Sequence, residues 1–231
     1  MVPHVDVAAN LHRLHDRIGA ACLAAGRPES AVRMVAVTKR IPLDLVTAAV
    51  AAGQLDLGEN RIQDALPRQD ELDDPRVRWH FIGHLQRNKA SRAAGRFALI
   101  HGVHSLDLAE RLDRKAGELG SRQPILLQIN ITAEAQKDGL AADHVVDVAC
   151  AVVGLPHLEL QGFMAMGRQG ADEQSLRGDF CRVRELRDLT AAAAGVPLPE
   201  LSLGMSGDFE AAIGEGATLI RLGTAVFGPR T

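Results

Sequence analysis

No tyrosine occurs among the 231 residues, and aromatics make up only 3%. The hydrophobic fraction is nonetheless 46%, so a packed core has to be built from Ala, Val, Leu and Ile. Charge of one sign is also lacking. A formal net charge of -3 and a pI near 6.3 give no electrostatic reason to expect a nucleic acid or an anionic membrane as partner. Cysteine is scarce. Cys22, Cys150 and Cys181 are odd in number, far apart and set in apolar sequence. They form no CxxC pair for metal or redox chemistry and read as reduced thiols of a cytosolic protein. No apolar run reaches membrane-spanning length. Residues 1–10, with His4 and Asp6, lack the apolar core of a secretion signal. A cytoplasmic protein without a membrane partner is therefore expected. Lysine is the last scarcity: Lys39, Lys89, Lys115 and Lys137 stand against 22 arginines.

What is present is a repeated alternation. Residues 7–25 have helical spacing, with Leu11, Leu14, Ile18 and Cys22 three or four apart, and Gly26-Arg27-Pro28 ends the segment. Short apolar runs follow at 34–38, 55–58, 78–82, 99–103, 125–131, 158–164, 200–203 and 219–222. Longer amphipathic stretches lie between them, among them 43–52, 106–119, 142–153 and 176–194. Strand and helix in eightfold alternation predict an α/β fold, a (β/α)8 TIM-type barrel, with an extra N-terminal helix and lead-in over 1–30. The length suits one such domain spanning 1–231, since these barrels run to about 250 residues. The strand runs lack clean alternation, as expected when both faces are buried. An open doubly wound sheet is the other possibility, but the GxGxxG turn after the first strand is missing.

Chemistry in such a barrel lies at the C-terminal strand ends. There the sequence puts Lys39, Glu59-Asn60, Gly83-His84, His104-Ser105, Asn130, Met164, Gly204-Met205-Ser206 and Arg221-Gly223-Thr224. Val35, Val37 and Lys39 share parity, so the lysine follows two barrel-filling valines into the mouth. Partial loss of hydration there lowers an amine's pKa and makes it a Schiff-base nucleophile, whereas a lysine that snorkels to solvent would do nothing. Leu219, Arg221 and Gly223 share parity in the same way. Two glycine-containing loops close the chain, Leu203–Asp208 and Gly223–Gly228. Loops after the last two strands are the recurrent phosphate site of these barrels, and Ser206 and Thr224 add hydroxyl donors. Ordinary turn chemistry would also explain the glycines.

Five segments carry a resemblance. They are Val35-Ala36-Val37-Thr38-Lys39, Gly58-Glu59-Asn60, the run from Trp79 to Lys89 (WHFIGHLQRNK), the run from Leu201 to Ile213 (LSLGMSGDFEAAI) and the run from Arg221 to Gly228 (RLGTAVFG). Together, in this order, the chain resembles the pyridoxal phosphate homeostasis protein family. That family shares the barrel of fold-type III pyridoxal phosphate enzymes such as alanine racemase. The resemblance implies pyridoxal 5′-phosphate (PLP) as cofactor, held by Lys39 as a Schiff base. It implies that Ser206, Gly207, Gly223 and Thr224 hold the phosphate and that Arg221 faces the pyridine nitrogen. Asn60 and Met164 would line the ring pocket. It implies buffering or delivery of the cofactor, with PLP-dependent apo-enzymes as possible recipients and a monomer or weak dimer as the assembly. Lys137 matches a family position near the mouth, where it would bind a second cofactor molecule or lie idle on the surface.

The alternatives are an amino-acid racemase, a metal-dependent hydrolase and an adaptor. A racemase of this branch uses a tyrosine from an additional β-domain as second base. This sequence has no tyrosine and stops at Thr231, soon after the last loop, so no such activity is expected; His84 or His104 would have to substitute. His80, His84, His101 and His104 fall near strand ends but show neither HxH nor HExxH spacing, so they read as strand-flanking and no metal is expected. Arg87, Lys89, Arg92 and Arg96 have helical spacing and read as a solvated helix face.

Overall fold

The computed structural model describes residues 5–132 and 138–229. Its first element is helix α1 (Val7–Ala24). Asp6 caps it by accepting the Ala9 N–H at 2.9 Å, a contact worth about 1 kcal/mol. Val7, Leu11, Leu14, Ile18 and Cys22 form its buried stripe, the period expected of a helix laid on a larger body.

The barrel wall follows: β1 (Arg33–Val37), β2 (Asp56–Glu59), β3 (Arg78–Phe81), β4 (Leu99–Val103) and β5 (Gln123–Asn130), then β7 (Leu158–Ala165), β8 (Glu200–Ser202) and β9 (Leu219–Leu222). Each of these strands pairs in parallel with the next, and β9 pairs with β1, so the wall closes with eight strands. A ninth strand, β6 (Leu140–Ala141), adds to the end of β5 outside the wall. At two residues it is too short to leave a pattern in the sequence. The outer helices are α2 (Leu43–Ala51), α3 (Ile62–Leu72), α4 (Ala90–Ala93), α5 (Leu106–Glu118), α6 (Val145–Val153) and α7 (Glu173–Ala194). Two short ones, α8 (Phe209–Gly214) and α9 (Thr224–Phe227), lie on either side of β9 in the chain.

Strand parity sorts the core into two layers. Val35, Leu99, Leu126, Met164 and Leu219 meet inside the barrel. Residues of the other parity, such as Ala36, Leu57, Phe81, Ile100, Leu127, Phe163, Leu201 and Ile220, pack with the helices. Both faces are buried, which is why the runs do not alternate. Two register shifts interrupt the phase, one between β4 and β5 at Ile100–Val103 and one between β5 and β7. The β5–β7 register slips between Leu160 and Gly162, and a Cβ on Gly162 would lie 1.9 Å from the Glu200 carbonyl oxygen, so only glycine fits there.

Three expectations need correction. His80 and His101 do not flank strands; they lie within β3 and β4 and are buried. Arg87 to Arg96 is not one helix face: a 3₁₀ turn (Arg87–Lys89) precedes the four-residue α4, and Arg87 and Arg96 pair with Asp107 and Asp70. The stretch from 142 begins as a 3₁₀ turn before α6. Of the cysteines, Cys22 alone is buried; Cys150 is exposed and Cys181 partly so.

Candidate cofactor site

The strand ends enclose a cavity of about 460 Å³ at the C-terminal mouth. Lys39, Asn60, Met164, Ser206, Gly207, Arg221, Gly223 and Thr224 all line it. Lys137 lies outside the described residues.

Lys39 sits in the turn that ends β1. The Ile41 N–H donates to the Thr38 carbonyl at 2.9 Å, and Arg40 adopts a left-handed φ of 60°. A non-glycine residue in that region is strained. The consequence here is directional: Arg40 is exposed while Lys39 stays half-buried against the cavity. Arg68 Nη1 donates to the Thr38 carbonyl at 2.8 Å, and the Thr38 hydroxyl donates to Glu59 Oε1 at 2.7 Å. Burial raises the Glu59 pKa, against the opposing pull of the Thr38 hydrogen bond and the Arg68 charge. The turn carrying Lys39 is thereby clamped from behind by β2 and α3.

The adjoining wall consists of the two loops that follow β8 and β9. Gly204 has φ of 83°, and a Cβ there would lie 2.7 Å from that of Ala212, so the sharp exit from β8 requires glycine. Asp208 accepts the Met205 N–H and holds the loop shut. Ser206 Oγ accepts the Ala225 N–H at 3.4 Å, joining the two loops. Gly207 is different. A Cβ there would meet nothing within 4 Å, so the chain's own packing does not demand glycine, and its absent side chain leaves room on the cavity side. Among the described residues the N–H groups of Ser206 and Gly207 have no acceptor. The Thr224 N–H opens α9 and lacks an intrahelical one. Unmatched donors converging on one spot form an anion cradle. Helix α1 braces it from outside, with Asn10 Nδ2 donating to the Val226 carbonyl at 2.8 Å.

Arg221 enters from β9, buried. Its Nη1 donates to the Ser202 carbonyl and hydroxyl oxygens, each at 2.6 Å, and Nη2 to the Ala165 carbonyl at 3.0 Å. Burial lowers its pKa to about 10, opposed by the Asp208 charge, so it remains a cation at neutral pH. Behind it, Ser202 Oγ lies 2.9 Å from His101 Nδ1, and His101 Nε2 lies 3.0 Å from His80 Nδ1. His80 Nε2 lies 2.9 Å from Asp56 Oδ1.

Several lining residues escaped the sequence reading: Ile82, Gln128, Asp138 and Met166. Gln128 is the most informative. Its Nε2 donates to the Asp138 carbonyl at 2.9 Å, while its buried Oε1 has no partner. An unmatched buried acceptor is costly, and this one lies on the β4 side of the residue, 3.5 Å from where a Gly102 Cβ would sit. Its signal was available, since Gln128 shares parity with Leu126 within an apolar strand. His84 is exposed at the rim, 3.1 Å from Asp138, and stacks on His104 with ring centroids 4.2 Å apart. Burial lowers the His104 pKa, and a hydrogen bond to the Gly102 carbonyl opposes the shift. Met166 and Met205 leave flexible apolar surface at the opening.

A strand-end amine, a buried arginine and unmatched backbone donors on the two loops fit an aromatic ligand that carries a phosphate and a carbonyl carbon. PLP has all of these. The fold and site thus define a closed parallel barrel with a lysine in the turn that follows its first strand. Residues 9–231 match the family described as alanine racemase, N-terminal domain, and the chain belongs to it. Curated relatives named pyridoxal phosphate homeostasis protein include one from Pseudomonas aeruginosa, 42% identical over 97% of this chain and 96% of that one. Another, from Escherichia coli K12, is 37% identical over 97% of each. The structure of PipY from Synechococcus elongatus with PLP bound is 36% identical, with a TM-score of 0.86, covering 96% of this chain and 100% of that one. Alanine racemase from Corynebacterium glutamicum, 16% identical with a TM-score of 0.71 over 97% of this chain and 61% of its own, shares the fold.

Burial pushes the His101 pKa well down, with the charges of His80, Arg221 and Arg33 acting in the same direction. The unfolded chain therefore binds a proton near the usual histidine pKa that the folded chain refuses. Stability conferred by the neutral ring is full above the unfolded value and lost as pH falls below it. Unfolding in urea should show stability falling from pH 7 to pH 5, with at most about 1.4 kcal/mol per pH unit from this group. His101→Leu should flatten that slope; an unchanged slope would show that the loss arises elsewhere.

Proposed function

We propose that this chain binds PLP through Lys39 and serves its homeostasis, holding the cofactor and handing it on with no strong turnover of its own. The observation that supports this most is the convergence of all eight expected residues, from five strand ends far apart in sequence, on one cavity. Bound there, PLP would supply an aldehyde carbon and an electron-withdrawing ring.

The Lys39 amine would hold the cofactor through its aldehyde carbon. The N–H groups and hydroxyls of Ser206 and Thr224, with Gly207 and Gly223 giving close access, hold the phosphate. Asn60, Met164 and Gln128 would line the ring pocket. Arg221 can only donate, so the nitrogen it faces stays unprotonated and the ring remains a weak electron sink. That suits a held cofactor. His84 and His104 are the candidate second bases of the racemase reading, and no tyrosine is available. One barrel domain over 1–231, acting in the cytoplasm as a monomer or weak dimer and supplying PLP-dependent apo-enzymes, completes the proposal. Among the described residues no helix is long and apolar enough to cross a membrane.

Borohydride reduction of the loaded protein should fix a pyridoxyl phosphate mass on the peptide containing Lys39, and Lys39→Ala should lose the visible absorption while keeping its fold by circular dichroism. Label mainly on Lys89 or Lys115 would refute the assignment. Ser206→Ala and Thr224→Ala should each weaken PLP retention roughly 10-fold, since charge-assisted hydrogen bonds contribute about 1.5–3 kcal/mol, and the double change clearly more. Equal affinity in the double variant would remove these loops from the site. In deuterium oxide with L-alanine, the loaded protein should form D-isomer far more slowly than a racemase. Rapid D-isomer formation that depends on Lys39 and on His84 or His104 would overturn the non-enzymatic part.

A further inference from the structure

The barrel interior carries a line of polar side chains that the cavity does not use. Asp56, His80, His101 and Ser202 are all buried, and none of them lines the mouth. The line begins near the N-terminal end of the barrel, where Arg78 Nε donates to Asp56 Oδ1 at 2.8 Å. It runs through the 2.9, 3.0 and 2.9 Å contacts already described and ends on Arg221. The two imidazoles meet edge to face, with centroids 5.2 Å apart and planes at 71°. That geometry aims the ring nitrogen of one at that of the other.

Satisfying Arg221 does not explain this line. Its guanidinium already has two backbone carbonyls and one hydroxyl. The neighbouring interior positions are filled by Val35, Leu99, Leu126 and Leu219, so apolar residues serve this barrel well at the same depth. Buried polar groups cost free energy relative to such packing unless every partner is present. Here every partner is present, and they share one direction. The Asp56 carboxylate can only accept, which puts a proton on His80 Nε2. With one proton on that ring, His80 Nδ1 accepts from His101 Nε2–H. His101 Nδ1 then accepts from the Ser202 hydroxyl, and Ser202 Oγ accepts from Arg221 Nη1. Each donor points from the mouth toward Asp56. A second proton on His80 would reverse the two inner contacts and leave Ser202 accepting from both sides.

We propose that Asp56, His80, His101 and Ser202 are a buried relay that positions Arg221, fixing the donor it presents to the aromatic nitrogen of bound PLP. The proposal rests on the PLP reading above. These are positioning residues, since none touches the cavity. A relay responds to what Arg221 meets, whereas inert filling does not.

The test uses the full chain labelled with ¹⁵N at histidine. Loading with PLP should shift the His101 and His80 ring nitrogens, although neither ring lines the site. Ser202→Ala should abolish the His101 shift, move the visible band of the loaded protein and release PLP roughly 10-fold faster, the factor expected for one hydrogen bond lost beside a charge. His101→Gln, which can still accept at one end and donate at the other, should restore much of this; His101→Leu should not. If Ser202→Ala does not fold, the response of the parent histidines decides alone. Histidine signals unmoved by PLP, or a folded Ser202→Ala with the parent's band and release rate, would overturn the relay. A parent that takes up no PLP at all would instead overturn the reading on which it rests.

Discussion

A guanidinium inside a barrel is the constraint around which this molecule is arranged. Moving such a cation out of water costs several kcal/mol even after relaxation, unless its donors are matched. Arg221 is matched by oxygens on two neighbouring strands, the Ser202 carbonyl and hydroxyl on β8 and the Ala165 carbonyl at the end of β7. Those partners require β7, β8 and β9 to end at compatible heights, and the two loops that form the anion cradle start from the same strand ends. The charge has a distant counterpart in Asp56. Burial opposes ionisation of that carboxyl, but hydrogen bonds and charge from His80 and Arg78 outweigh it and hold its pKa well below the usual range. The interior therefore carries a cation toward the mouth, an anion toward the base and imidazoles between them. The surrounding apolar layer gives these contacts a low-dielectric setting in which they are strong.

How much of this was legible depended on which physical signal each part leaves. The eight wall strands were legible because burial on both faces leaves short, largely apolar runs without clean alternation, and β4 and β9 matched their expected bounds at Leu99–Val103 and Leu219–Leu222. Lys39 was legible from parity, since Val35 and Val37 precede it two residues at a time. The five ordered segments then tied it to a family, which supplied the partner residues. The histidines were misread because a polar residue near a strand end looks the same whether it points out or in. Whether a polar group is tolerated inside is decided by its neighbours across the barrel, as His101 is by Ser202 a hundred and one positions later. Gln128 was missed for a related reason, because its role appears once the strand order closes. The bulge at Gly162 shifts the phase of β7 midway, a change that spacing within that strand does not announce. Strand β6 is held by pairing to Asn130 and Ile129 and has too little sequence to carry a signal.

The anion cradle shows how distant segments share one task. Gly204 turns the chain out of β8, Asp208 pins the turn, and Ser206 reaches the start of α9. Helix α9 has only four residues and depends on outside support, because a helix that short does not hold itself. Support comes from α1 through Asn10, and from Gly223, whose carbonyl accepts from Val226 and Phe227. The N-terminal helix that precedes the first strand is in this way part of the architecture of the last loop. Its apolar stripe is anchored to the barrel, while Arg17 pairs with Glu210 on α8 and lies over the Phe209 ring.

Holding a cofactor and using one make different demands on the same barrel. Catalysis requires contacts that strengthen as the reaction proceeds, whereas retention requires contacts that are fully formed at rest. The wall of this cavity is held by contacts that are fully formed at rest. An amine on a clamped turn, a cradle of N–H groups and a buried arginine with fixed partners all act on a resting ligand. Met166 and Met205 at the opening are exposed and flexible, so they admit water, which weakens any electrostatic support for a developing negative charge. Retention in such a cavity is a sum of many contacts of modest strength, and the opening sets how readily water competes for each of them.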